Sequence, residues 1–515
     1  MHKISLRTFP LHPFLLAVFP VLSLLADNIV EITFSQSVRS LAWSLAGTLL
    51  IFLLFWLATR SAQKAGLATS FIVVAFYSFG HVYMRLHGAL PGGSLLGRLD
   101  VLMAIWASGL IIGAWLLARK LRDPLPLTLL VNVVALAALV TALYPLGVYS
   151  GKKLLAGPFQ IKQPADLALQ AGGTGEKPDI YYIILDGYGR HDALQEIHKV
   201  DDSEFLRFLE GRGFIVAGQS TTNYARTNLS LASSLNYHYL HELIEARPES
   251  DDYDAYRYLI NNSAVQRFLK AQGYRTVAMA TGFEMAEVSG ADVFLNEGRQ
   301  LSYFEETLLA RSMAIFWVDL VVGDYRRADI TQAFADLKGT TAMPGPKFVI
   351  AHLVVPHPPF VFDENGGPVA PRGWGDGTSY AGGPDQYLEA YRRQLLYVDR
   401  VMEKIIVSIQ EQSKTPPVII LQGDHGPGAY VDWLDWKKTC LRERMPILNA
   451  YYLPGENPAE IPADITPVNT FRVVFNRYFG TALPMQENHN YFVLLPRPYD
   501  YIEVTDHLDQ CPQRP

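Results

Sequence analysis

The sequence predicts a chain in two parts: five membrane-spanning helices in residues 1–150 and, after a linker at 151–178, an exported α/β domain over 179–515. That second part reads as an open sheet with helices on both faces. Three observations predict this. The first 150 residues hold five apolar stretches, the remainder alternates short β-branched runs with amphipathic helices, and the charge divides at the same place. Overall the 515 residues are 49% hydrophobic, with 44 basic and 50 acidic residues and a formal balance of −6. Residues 1–150 contain ten basic residues and four acidic ones (Asp27, Glu31, Asp100 and Asp123), a balance of +6, so the rest of the chain carries −12. An acidic exported block excludes a general attraction to nucleic acid, and the apolar and aromatic content excludes a disordered chain.

The apolar stretches are 13–30, 41–57, 67–84, 101–118 and 125–148. Each approaches the ~20 residues with which a helix crosses a ~30 Å hydrocarbon layer. No small-residue cleavage site follows the first, and four more stretches do, so it reads as a span and not a signal peptide. Lys3, Arg7, Arg60, Lys64, Arg119, Lys120 and Arg122 fall on one side against Arg39, Arg85 and Arg98 on the other. Cations are retained in the cytoplasm, which puts the N-terminus inside and everything after residue 150 outside. Asp27 and Asp100 stand at the ends of stretches, so the helices read as an anchor and lipid-access surface, not a transport path. In the linker, GGTGEK (172–177) lacks the Gly-Lys-Ser/Thr ending of a phosphate loop.

In the exported block, 179–186 (DIYYIILD) is a buried strand ending in Asp-Gly. The segments 205–218 and 265–282 repeat one pattern of amphipathic helix, glycine and apolar strand. Further strands are predicted at 347–354, 417–421 and 447–453. Leu388, Tyr391, Leu395, Val398, Met402, Ile405 and Ile409 recur at three and four residues and mark one long helix. Such alternation builds an open α/β sheet whose ligand site lies at the carboxyl ends of its strands. Cys440 and Cys511 form one disulfide in an oxidising compartment or remain two thiols; their spacing leaves both open.

Four strand ends carry chemistry. Asp186 ends the first strand, where Asp-Gly is also a common turn. Asp424 and His425 follow another strand and supply oxygen and nitrogen donors suited to Zn²⁺ or Mn²⁺. In TTNYARTNLSLASSLN (221–236), Thr227 or Asn228 caps a helix, and a hydroxyl there meets the positive end of the helix dipole. His352 and His357 are five apart in FVIAHLVVPHPPF; one of the two reads as structural, and prolines hold His357 in an extended loop facing away from the sheet.

Together these segments resemble the alkaline phosphatase and sulfatase superfamily, and more closely its membrane-anchored branch of lipoteichoic acid synthases and lipid A phosphoethanolamine transferases. The resemblance implies an alkaline-phosphatase-like (sulfatase-like) domain with a mixed, mostly parallel sheet. It also implies roles for residues: Asp186, Thr227, Asp424 and His425 as metal ligands, Thr227 (in Thr-x-x-Ser, with Ser230) as nucleophile, and His357 as the substrate-side histidine. One divalent ion is implied, Zn or Mn ahead of Mg or Ca, with a second left open. The sulfatase Cys/Ser-x-Pro-x-Arg motif is absent, which disfavours sulfate-ester hydrolysis. No histidine occurs between His425 and His489, where the transferases carry one; Arg442 and Arg444 stand there instead. They either bind a substrate phosphate or pair with nearby acids.

The expected function is transfer of a phosphoglycerol- or phosphoethanolamine-type group from a phospholipid in the outer leaflet of a bacterial-type cytoplasmic membrane. The group would pass through phospho-Thr227 to an envelope glycan or glycolipid. No nucleotide triphosphate is available outside the cell, and exchange of one phosphodiester for another needs no other fuel. Water as acceptor would make the same site a phosphodiesterase or sulfatase-like hydrolase, and an inactive envelope scaffold is the reading from another class. The glycine-rich loop 363–386 reads as a substrate lid or a plain insertion, with Trp374 and Tyr380 placed to stack on a sugar.

Overall fold

A computed structural model describes residues 9–89, 94–162, 164, 177–245, 250–296, 301–369, 383–455, 460–495 and 497–512. Trp374 and Tyr380, and most of the linker, lie outside these residues. The chain forms two compact units, one of residues Met1–Leu155 with Leu301–Val322, the other of Ala156–Gln300 with Gly323–Pro515.

The first unit contains the helices α1 (His12–Asp27), α2 (Phe34–Thr59), α3 (Ala62–Ala89), α4 (Leu99–Arg119) and α5 (Leu125–Ala156). Among the described residues, four helices, lying within α2, α3, α4 and α5, are long and apolar enough to cross a membrane. α1 has only 16 residues, ~24 Å at 1.5 Å per residue, because Asp27 and Asn28 end its apolar run. Five stretches thus become four helices of full spanning length and one shorter apolar helix. Their outer surfaces expose large apolar side chains, Trp43 at 73% and Ile111 at 72%, as lipid-facing helices do. One polar contact joins two of the helices: Asn132 Oδ1 accepts the backbone N–H groups of Leu11 and His12 at 3.0 and 2.9 Å, satisfying donors that α1 leaves unbonded. Residues Leu301–Val322, which the sequence gives to the exported block, pack in this unit. Ser302 and Glu305 form a capping box for the helix Tyr303–Ala310, Glu305 pairs with Arg39, and Phe304 and Leu308 join Val21, Leu25 and Ile32 in one apolar cluster.

The second unit is built on a seven-stranded sheet, β1 (Ile180–Leu185), β2 (Ile215–Val216), β3 (Arg275–Met279), β4 (Val293–Leu295), β5 (Lys347–Leu353), β6 (Val418–Gly423) and β7 (Asn449–Tyr452), in the order β2-β7-β6-β1-β5-β3-β4. The five strands from β6 to β4 run parallel, and β7 and β2 pair antiparallel at one edge. The sheet is therefore mixed and mostly parallel. β2 and β4 have two and three residues; β4 is too short to leave a periodic signal in the sequence.

β1 is buried at every position, so alternation distributes its side chains between two covered faces. Tyr181, Ile183 and Leu185 join a core with the helix Pro384–Gln412, through Tyr391, Leu395, Val398, Met402, Ile405 and Ile409, and with Phe205 and Leu209 of the helix Ser203–Gly211. On the other face the Tyr182 ring meets Phe471 of the helix Pro467–Phe479 edge-on, and its hydroxyl donates to Ser234 at the end of the helix Thr227–Ser234. A disulfide joins Cys440 to Cys511 and so ties the C-terminal segment to the loops after β6.

One core position carries a stability prediction. Asp399 is buried in the helix Pro384–Gln412, and its Oδ1 accepts the Tyr188 hydroxyl proton at 2.8 Å. Burial, then the charge of Asp202, raises its pKa well above the carboxylate range. A raised folded pKa gives stability that is fully present below the unfolded value of ~3.9 and is lost as pH rises toward the folded one. Asp399→Asn keeps the accepting carbonyl and removes this titration. Its melting temperature should match the unsubstituted protein near pH ~4 and exceed it increasingly toward pH ~8, read by thermal denaturation across that range.

Candidate active site

Alternation places the key side chains before any contact is considered. Asp186 continues the β1 series of Ile180, Tyr182 and Ile184, and Asp424 continues the β6 series of Val418, Ile420 and Gln422. Both therefore leave their strands on the face covered by the helix Thr227–Ser234. His352 belongs to the same face, because it pairs in register with Ile184. The turn after β1 is tight: Gly187 has φ +75°, a conformation that favours glycine, and its N–H donates to Asp424 Oδ1 at 3.0 Å. After β6, Gly426 admits no side chain, since a Cβ there would lie 2.1 Å from the carbonyl oxygen of Glu443.

Three residues converge. Asp186, Asp424 and His425 are each buried, and one donor atom from each lies within 4.8 Å of the others. Thr227, the first residue of its helix, has Oγ1 2.9 Å from His425 Nε2. The tautomer of His425 follows from its other nitrogen: Nδ1 is 2.9 Å from the carbonyl oxygen of Gly426 and so carries the proton. Burial, then the nearby Arg444 cation, lowers its pKa well below the usual value, so the ring is neutral. Its Nε2 therefore accepts the Thr227 hydroxyl proton, and it also lies 3.2 Å from Asp424 Oδ2 and 3.6 Å from Asp186 Oδ1. Neither of those oxygens has a hydrogen-bond partner among the described residues. Two unpartnered carboxylate oxygens gathered around one acceptor nitrogen in a buried site are a set of donors that a cation would satisfy. The donor set, two carboxylates and an imidazole, fits a divalent metal.

The protonation of the two carboxylates has been pulled apart. Burial opposes ionisation of Asp186, but His357 and the hydrogen bond from His352 hold its pKa below the usual range. Burial, and then the charge of Asp186, pushes Asp424 up to about 6.

The remaining expected residues are distributed as follows. His357 follows β5; its N–H donates to the carbonyl of Asp186 at 3.0 Å, and its ring centroid lies 6.3 Å from that of His425. Its Nδ1 is 2.7 Å from the carbonyl oxygen of Pro358. Arg442 does not stand with this group: its guanidinium pairs with Asp192 at 2.8 Å and Glu196 at 2.9 Å, the alternative the sequence left open. Arg444 is buried, donates to the carbonyls of Ala225 and Gly426 at 2.8 and 3.0 Å, and lies over Trp433. It braces the two loops that present Thr227 and His425. Glu443, between the two arginines, is buried and accepts from the backbone of Ala429 and Tyr430.

Three further residues touch the site: sequence reasoning assigned no role to Thr222, only a capping role to Asn228, and a structural one to one of His352 and His357. Thr222 donates to the carbonyl of Asp424 at 2.6 Å. Asn228 is buried next to Thr227, with Nδ2 lacking a partner among the described residues. His352 reaches Asp186 Oδ2 with Nε2 at 3.2 Å, a contact that strand alternation could have signalled.

Comparisons with known proteins place the chain in a family. A family model described as Sulfatase matches residues 178–473, more than half of the chain. No curated protein matches the sequence. Among solved structures, the chain is similar to the C-terminal periplasmic domain of EptC from Escherichia coli, with 14% identity, coverage of 66% of this chain and 95% of that one, and a TM-score of 0.43. It is also similar to the C-terminal periplasmic domain of the phosphoethanolamine transferase EptC from Campylobacter jejuni (12% identity, 61% and 92% coverage, TM-score 0.37). A third is the integral membrane protein lipooligosaccharide phosphoethanolamine transferase A from Neisseria meningitidis (13% identity, 85% and 88% coverage, TM-score 0.36). By the family match over more than half its length, this protein belongs to the sulfatase family.

Proposed function

We propose that the protein is a membrane-anchored, metal-dependent phosphotransferase that moves a phospholipid headgroup, of phosphoglycerol or phosphoethanolamine type, to an envelope glycan or glycolipid through phospho-Thr227. The observation that carries this reading is the convergence of the Thr227 hydroxyl with three buried metal-type donors at the carboxyl ends of adjacent parallel strands. α1 to α5 serve as five spans with the N-terminus in the cytoplasm and the catalytic unit in the periplasm, beside the outer leaflet of the cytoplasmic membrane.

Asp186, Asp424, His425 and Thr227 would hold the ion, which when bound lowers the pKa of the threonine hydroxyl and neutralises a phosphoryl oxygen. Thr227 loses its proton to solvent and Oγ1 attacks phosphorus, while the bond from phosphorus to the diacylglycerol oxygen breaks. His357 donates a proton from Nε2 to that leaving oxygen. In the second half-reaction the acceptor hydroxyl gives its proton back to His357 and attacks phosphorus, the bond to Thr227 breaks, and Oγ1 takes a proton back from solvent. The unused Nδ2 of Asn228, in the first turn of the same helix, supports binding of an anionic oxygen there, since a buried donor without a partner costs about 1–3 kcal/mol.

Incubating the purified full-length protein with vesicles of labelled phosphatidylethanolamine or phosphatidylglycerol tests this. Released diacylglycerol and a headgroup phosphate on Thr227, located by peptide mass spectrometry, are the expected products. Free phosphorylated headgroup with no transfer to any added glycan or glycolipid would make the protein a hydrolase. Unaltered lipids together with no bound metal would leave a scaffold.

A further inference from the structure

We propose that His352 is a positioning residue that holds Asp186 in the orientation its site requires. His352 lies on β5, the strand hydrogen-bonded alongside β1, in register with Ile184 and on the sheet face from which Asp186 projects. Both side chains are buried, and His352 Nε2 lies 3.2 Å from Asp186 Oδ2. The two carboxylate oxygens are thereby given different tasks. Oδ2 is occupied by a donor from the neighbouring strand, and Oδ1 has no hydrogen-bond partner among the described residues and faces His425 Nε2. Without His352 the carboxylate could rotate about its last bond and exchange the two oxygens, or swing from the other donors. A carboxylate fixed at one oxygen has lost that freedom before any ligand arrives, so less ordering remains for the binding step. Because His352 sits inside a buried parallel strand, it is held more rigidly than a loop residue doing the same work.

This inference rests on the metal-binding reading of the site, and its test separates the two. Zn²⁺ and Mn²⁺ dissociation constants and stoichiometries are measured on the purified full-length protein, on His352→Leu and on His352→Gln. Leucine fills the space without a donor, and the glutamine amide places an N–H at about the position of Nε2. We expect His352→Leu to bind metal about 10- to 100-fold more weakly, with stoichiometry unchanged, and His352→Gln to recover most of the loss. Equal affinity of His352→Leu and the unsubstituted protein would overturn the inference. So would loss of one bound ion per chain, since His352 would then be a ligand. If His352→Leu shows no cooperative melting, His352→Asn takes its place: its amide is too short to reach Oδ2, so asparagine and glutamine binding alike would also overturn it. Failure of the unsubstituted protein to bind any metal would instead refute the reading on which this rests.

Discussion

Thr227→Ala should reduce headgroup release by at least about 10³-fold, the scale on which removing a nucleophile acts when neighbouring groups cannot replace it. The substitution is small in structural terms. Thr227 is the first residue of its helix, its Oγ1 is hydrogen-bonded to His425 at 2.9 Å, and alanine keeps the helix while losing the hydroxyl and one methyl group. Loss of that bond alone changes stability by about 1 kcal/mol, so thermal melting should move little while turnover collapses. Asp186, Asp424 and His425 remain, and metal binding should persist. The adduct expected on Thr227 should vanish from the peptide mass spectrum. Thr227→Ser keeps an oxygen at the same position and should retain measurable turnover. If alanine released headgroup within tenfold of the unsubstituted rate, a water molecule or another group would have to be the attacking species.

What the sequence made legible follows from how many residues report each feature. β1, β5 and β6 lie in the sheet's interior, so apolar runs ending in Asp or followed by Asp-His announced both the strands and the residues at their ends. The helix Pro384–Gln412 repeats its apolar stripe over 29 residues, enough for the period to be unambiguous. β4 offers three residues and no pattern. The segment from Leu301 to Val322 was assigned by position along the chain, yet Phe304 and Leu308 pack with Val21 and Leu25. An amphipathic helix shows that it has an apolar face, not which apolar surface that face will meet.

The site was legible to the same degree. Asp186, Thr227, Asp424, His425 and His357 come from four segments spread over more than 200 residues of chain, and the sheet topology brings them to one end. Arg442 and Arg444 show the opposite: two arginines one residue apart point to different partners, because a short helix, Leu441–Arg444, turns their side chains apart. One meets carboxylates on the helical turns at 191–198 and the other meets backbone carbonyls. Charge and spacing alone leave those outcomes equivalent, whereas burial decides between them.

Asp186→Asn, or chelation of the unsubstituted protein, should likewise abolish turnover, but with a stability signature that identifies the reason. Asparagine matches the shape of aspartate and removes the charge, so the metal loses one anionic ligand. In the metal-free state the same change is favourable: Asp186 Oδ1 and Asp424 Oδ2 are buried acceptors without a partner among the described residues, both beside His425 Nε2, and the asparagine amide can offer an N–H there. The metal-free Asp186→Asn protein should therefore melt at or above the temperature of the chelated unsubstituted protein. Adding metal at 100 times its dissociation constant should stabilise the unsubstituted protein by about 2.7 kcal/mol and the variant by far less. Acid should act in the same direction, because protons compete with metal for its ligands and Asp424 takes one up at about pH 6. Metal-dependent stabilisation should shrink as pH falls through that value, measured by melting with and without metal at each pH. A metal-free variant that is less stable than the chelated protein would mean that Asp186 is a structural carboxylate whose partner is His352, and that the three donors converge for packing and not for a cation.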